Sequence, residues 1–214
     1  MARINDFKQA KAISIEELTQ KDPEFIAQNS GANIKKENNE KGTLSLKFLN
    51  RNIIISWPDM EFSYDNSEKD ISLQQQVLLL HYLAGCCSSG ISKNDGEWIS
   101  FQDVPDGRFY MDAFIKRAKD PLMKSFGQNP KRLIELTLKA YNSAPIDIGD
   151  FSVIVKALPL VPVALVLWEG DDEFPPEANI LFDKNISAIL SAEDIAWLAG
   201  MVIYPMMGMA AQKG

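Results

Sequence analysis

Histidine and cysteine are nearly missing from this chain. Its 214 residues carry one histidine, His81, and two cysteines, Cys86 and Cys87, side by side. Neighbouring Cα atoms lie about 3.8 Å apart, closer than an unstrained disulfide prefers, so reduced thiols are expected. Two cysteines also fall short of the four that an all-cysteine iron–sulfur cluster takes, which rules out such a cluster held by this chain alone. Basic charge is scarce as well: 22 Lys and Arg against 29 Asp and Glu leave a net charge of -7. Non-specific nucleic-acid affinity comes from cations neutralising phosphates, so DNA or RNA is excluded as the main partner. The stretch "MARINDFKQAKAISIEEL" spreads its charges evenly and has no apolar run ending in small residues, unlike a secretory signal. A cytoplasmic location is the expectation. The longest charge-free run, 195–211, reads "IAWLAGMVIYPMMGMAA" and contains Gly200, Pro205 and Gly208. It reaches only the short end of a membrane span, so a buried terminal helix is expected instead of a transmembrane one. Nothing in the composition speaks to oligomeric state.

What is present is the make-up of a globular protein, with 46% hydrophobic and 24% charged residues. The length suits one domain over 1–214, with 1–30 as a helical extension. Ser14 with Glu17 forms a capping-box pattern, and Asp22-Pro23 is a second helix start that Gly31 closes, which predicts two short helices. "TLSLKFL" and "NIIISW" alternate apolar and polar residues around a turn at "NR", the pattern of a β-hairpin, and "MEFSY" supplies a third strand. The run 71–87, "ISLQQQVLLLHYLAGCC", has an unbroken apolar middle that suits a central buried helix. Further helices are expected over 109–119, with Phe109, Ala113 and Phe114 on one face, and over 131–141, with Leu133, Leu136 and Leu138. "FSVIVKALPLVPVALVLW" holds two strand-forming runs around Pro159 and Pro162, and "ANILFD" is another. Ser191 and Asp194 cap a last helix that Pro205 should stop or kink. Strands at both ends with helices between predict an α+β fold, a mostly antiparallel sheet from the N-terminal hairpin and C-terminal strands packed against several helices.

Chemistry has few places to sit. "GCCSSGIS" puts two glycines at phosphate-loop spacing, but Ile91 stands where that loop needs lysine, and the segment follows a helix. Ser88 and Ser89 lie in no nucleophile-elbow pattern. His81 reads in two ways: a core histidine satisfied by one hydrogen bond, or an axial ligand to a tetrapyrrole metal, which takes one histidine where zinc takes several ligands. Cys86 and Cys87 read as inert buried thiols. The stretch 168–177, "WEGDDEFPPE", packs Glu169, Asp171, Asp172, Glu173 and Glu177 together without the order of a calcium loop. A solvated acidic turn relieves their repulsion most cheaply, and Pro175 with Pro176 stiffens it, so the four carboxylates from 169 to 173 make a candidate ligand or partner surface. Arg108 and Arg117 are able to hold an anion by forked hydrogen bonds or to pair with the acidic turn. The tryptophans Trp57, Trp98, Trp168 and Trp197 sit in apolar contexts that favour packing over ligand stacking.

The segments "DPEFIAQNSGA", "LSLKFLNRNIIISWPD", "LLLHYLAG", "GEWISF", "PLMKSFG" and "VPVALVLWEGDDEFPPEANILFD" together resemble the domain of unknown function 3786 family over about residues 15 to 200. The last segment is the most specific, and His81, Trp98, Arg117, Glu169, Phe174 and Pro175 are the positions that carry the pattern. The resemblance implies a protein of anaerobic bacteria or archaea, with relatives attached to or encoded near iron–sulfur and corrinoid proteins. Three readings stay open. One is an accessory, non-enzymatic domain binding a corrinoid or related tetrapyrrole, with His81 as axial metal ligand, Arg117 as carboxylate partner and Trp98 beside them. Another is an interaction module whose acidic turn and Met-rich tail dock a redox or one-carbon enzyme, an iron–sulfur or corrinoid protein. The third is a divalent-metal hydrolase using the 169–177 carboxylates.

Overall fold

The computed structural model describes residues 2–38, 41–90, 96–141 and 143–211. The fold is α+β, with its strands divided between two antiparallel sheets. The chain groups into two compact units. One comprises Met1–Lys93 with the short stretches Leu158–Leu160 and Ala188–Leu190; the other comprises Asn94–Ala157, Val161–Ser187 and Ser191–Gly214.

The first unit opens on α1 (Ala2–Thr19). Ser14 is buried inside this helix and does not start it, because the residues before it contain no glycine or proline to break the run. The expected short helix is therefore one long one. α2 (Pro23–Ser30) begins where expected, with the Asp22 carboxylate accepting from the Glu24 N–H at 2.9 Å, and ends at Gly31 in the left-handed conformation. Strands β1 (Asn33–Lys36), β2 (Gly42–Phe48), β3 (Arg51–Trp57) and β4 (Phe62–Tyr64) pair in sequence order. The β2–β3 turn falls on Leu49 and Asn50, both at positive φ, so Arg51 pairs with Phe48 and the turn lies one residue earlier than "NR" suggests.

α3 (Leu73–Ser89) carries a full capping box between Ser72 and Gln75 and packs against α1 and α2. Two of its residues are fixed by distant parts of the chain in the same unit. Gly85 has no room for a side chain, since a Cβ there would stand 1.9 Å from the Ile189 carbonyl oxygen. The Tyr82 hydroxyl, fully buried, donates to the Ser30 carbonyl at 2.6 Å and accepts from the Leu160 N–H at 3.2 Å, so a core phenol keeps both its bonds.

The second unit holds the sheet β5-β9-β8-β7-β6, built from Trp98–Ser100, Glu177–Asp183, Val161–Trp168, Phe151–Leu158 and Ser143–Pro145 in that order. β8 is buried at every position from Val161 to Leu167, including Pro162. α4 (Gly107–Phe114) runs through a π-turn, Ile115–Lys119, into α5 (Asp120–Phe126). The wide turn has a cause in the sequence: Pro121 lacks an N–H and its ring crowds the carbonyl four residues back, while the Asp120 N–H reaches the Ile115 carbonyl five residues back. α6 (Pro130–Ala140) and α8 (Ala192–Ala211) complete the unit, and the short α7 (Ile186–Ile189) is divided, Ala188 and Ile189 belonging to the first unit.

Two expectations about helix faces fail here. Phe109 is 85% exposed and Leu138 is 50% exposed, although both were expected on buried faces. Other members of the same expected faces, Phe114 in α4 and Leu133 and Leu136 in α6, are buried. Phe101, Phe114 and Phe182 form one aromatic cluster, with Phe101 and Phe114 stacked at 4.2 Å. α8 contacts α4, the π-turn, α5 and α6. It is long and apolar enough to cross a membrane by length and composition, but half of its most apolar window is buried within the protein, as a core helix would be. Pro205 does not end it; the helix continues to Ala211, with Ile203 and Met206 buried on either side. A proline inside a helix costs about 3 kcal/mol, which burial of those flanking side chains offsets.

Candidate functional site

The acidic stretch joins β8 to β9 as a closed turn, and its carboxylates are not equivalent. Asp171 is the one that the turn engages: its Oδ1 accepts from the backbone N–H groups of Glu173 and Phe174 at 2.8 and 2.7 Å. Its own N–H donates to the Phe174 carbonyl at 2.9 Å. Those two donors, from Phe174 and Glu173, hold the Asp171 carboxyl below its ordinary range. Such a loop is the Asx-type turn that Asp makes when its side chain stands in for a backbone acceptor. All four carboxylates from Glu169 to Glu173, Asp171 included, are exposed, so what sets Asp171 apart is its bonding and not its burial.

Both ends of the turn are tied. At the entry, the Glu169 N–H donates to Asp150 Oδ2 at 2.8 Å, and the Asp150 N–H donates to the Leu167 carbonyl. At the exit, Lys119 Nζ lies 3.4 Å from Glu177 Oε1. Gly170 is required by close approach, because a Cβ there would meet the Pro176 ring at 2.6 Å. The consequence is a stiff loop whose tip residue, Phe174, is 67% exposed. Beside it lies an open cleft of about 490 Å³ lined by Gly127, Pro130, Glu169, Asp171, Phe174 and Pro176.

The remaining sequence candidates fall elsewhere. His81 is half-buried on α3 in the first unit, between the buried Leu80 and Tyr82. Trp98 is half-buried at the start of β5 and pairs with Asp183 of β9. The Arg117 guanidinium lies 4.0 Å from the centre of the Trp197 ring, a cation–π stack. It is Lys119, not Arg108 or Arg117, that reaches the acidic segment. Cys86 is fully buried and burial pushes its thiol up to about 12; burial likewise raises that of Cys87. Both therefore stay as thiols near neutral pH, the inert state expected of them.

A tetrapyrrole would need a slot opening on His81. The 490 Å³ cleft has no His81 in its wall, and a second cleft of about 250 Å³ in the first unit is polar and lined by Lys47, Arg51, Tyr64 and Asp65. Neither fits that group with His81 as its ligand. Among the described residues no group of three or more His, Cys, Asp and Glu side chains is arranged to hold a metal ion. Asp150, Lys119 and the bonding of Asp171 to its own turn escaped sequence reasoning. An aspartate followed two and three residues on by chain that turns back is the only local signal, and it points to Asp171 alone.

No curated protein and no solved structure matches the chain. The family model described as "Domain of unknown function (DUF3786)" matches residues 22–204, and the chain belongs to that family.

Proposed function

We propose that the protein is an accessory binding module that docks a partner protein through the turn at 169–176. The observation that carries this reading is Phe174, an aromatic side chain held out to solvent on a turn whose backbone the Asp171 carboxylate has already ordered. Ordering a loop is a large part of what association costs, so a preordered aromatic anchor binds with less to lose. The carboxylates of Glu169, Asp172 and Glu173 around it favour a partner with Lys or Arg beside an apolar socket.

The test is a purified complex. The chain is used to isolate its partner, the partner is identified and purified, and the dissociation constant is measured for the parent protein and for Phe174→Ala and Asp172→Lys with Glu173→Lys. Loss of an anchor should weaken binding by about 2 kcal/mol, and the double charge reversal should mainly slow association and reduce its dependence on salt. Equal affinity of Phe174→Ala and the parent sinks the assignment. The corrinoid reading has a separate test: protein isolated without oxygen and free of a visible tetrapyrrole spectrum would leave His81 no ligand role.

A further inference from the structure

We infer that the second unit carries a binding site for a small apolar zwitterion of the α-amino-acid class, in a cleft of about 220 Å³ between the π-turn and β9. It shares the Lys119–Glu177 pair with the exit of the docking turn and otherwise rests on a separate cleft. The cleft has an apolar side formed by the half-buried Met111 and Ile115; the stacked rings of Phe101 and Phe114 border it but are themselves only 1% and 2% exposed. Opposite in character are Lys119 and Glu177, the one a cation and the other an anion, 3.4 Å apart. Neither is deeply buried, at 34% and 66% side-chain exposure, and an exposed pair at that distance contributes little by itself.

A ligand carrying both charges exchanges that weak pair for two charge-assisted hydrogen bonds, carboxylate to Lys119 and ammonium to Glu177, without leaving either group unpaired. A ligand with only one charge would strand the other partner. The Asn179 side chain lines the same cleft; its Oδ1 accepts from the Ile180 N–H at 2.9 Å, which leaves its amide donors directed to other groups. The nearby Asp103 is already engaged, taking the Ser100 hydroxyl at 2.6 Å and the Ser100 N–H at 3.2 Å, so Glu177 is the carboxylate on offer. The π-turn is what places Lys119 here. That turn bonds five residues back instead of four and contacts β9, and single π-turns inside helices recur at functional sites. The volume is below the roughly 300–1,000 Å³ of drug-sized pockets, which limits the side chain of the ligand to a short aliphatic or thioether one.

The experiment is calorimetric titration of the full chain with L-leucine, L-methionine and L-valine, and with their N-acetyl and carboxamide derivatives. Saturable binding of at least one free amino acid is expected. Removing either charge from the ligand should weaken it about tenfold or more, and so should Lys119→Met or Glu177→Gln. Ile115→Trp, which fills the apolar side while keeping both charges, should abolish binding; its circular dichroism and melting curve, with those of the charge variants, show that the fold persists. Absence of saturable binding by all three amino acids overturns the inference. So does binding that survives both charge substitutions, or that is lost with Lys119→Met but unchanged with Glu177→Gln, which would mark a simple anion site.

Discussion

Two of the protein's antiparallel hairpins, β2–β3 and β8–β9, are built on opposite plans. In β2–β3, burial alternates along each strand, so one face of the ribbon is covered and the other is half open. In β8–β9, the strand β8 is buried on both faces from Val161 to Leu167. Their turns differ in the same sense. Leu49 and Asn50 close the first hairpin with two residues at positive φ. The second is closed by the longer turn at 169–176, held by the side chains of Asp150 and Asp171. The difference teaches where specificity is stored. A two-residue turn has one conformation to offer, whereas a turn held by side chains presents residues such as Phe174 that the hairpin itself does not need.

The contrast is open to breaking. A charge placed in the doubly buried strand should have the largest effect: Ala164→Asp would sit at 0% exposure with no cation placed for it, and should destabilise by about 4 kcal/mol or more in urea unfolding. A variant that unfolds within about 1 kcal/mol of the parent would mean β8 has a face open to water. On the half-open face of β3, Ile54→Thr should cost about 0.5 kcal/mol, because Ile54 pairs with Ser45 and Ser63 and the β-branched shape is kept. A larger loss would show that this face is covered as well.

The smallest effect expected is on the turns, and it depends on pH. Asp171 has a folded pKa below its ordinary 3.8. Its contribution is therefore complete above about 3.8 and is lost as pH falls through the lower folded value. Amide chemical shifts of Glu173 and Phe174 should move in that acidic window, and that of Asn50 should not. Simultaneous movement of all three would mean global acid unfolding, with no separate role for Asp171.

Much of the fold was legible because it is written in local terms. Asp22 and Gly31 bound α2, Ser72 starts α3, and the alternation of "TLSLKFL" with "NIIISW" is a period-two pattern that no helix satisfies. The failures share a cause. Ser14 with Glu17 is a start signal only if nothing helical precedes it, and α1 already runs through. Phe109 and Leu138 lie on helices with two apolar sides, and which side is buried depends on what packs against it. Of the site, the sequence showed a stiff acidic turn. It did not separate Asp171 from its neighbours, nor bring in Asp150 and Lys119 from 19 and 58 residues away along the chain.

By itself the sequence determined the reduced thiols, the absence of a four-cysteine cluster, the α+β class and the bounds of locally signalled elements such as α2, since counting, charge and short-range backbone preference settle these. The tertiary structure alone decided which carboxylate the turn engages, that Arg117 stacks on Trp197 while Lys119 meets Glu177, and that the strands divide between two sheets. Those outcomes depend on side chains meeting across long stretches of chain, and a local pattern carries no record of such meetings.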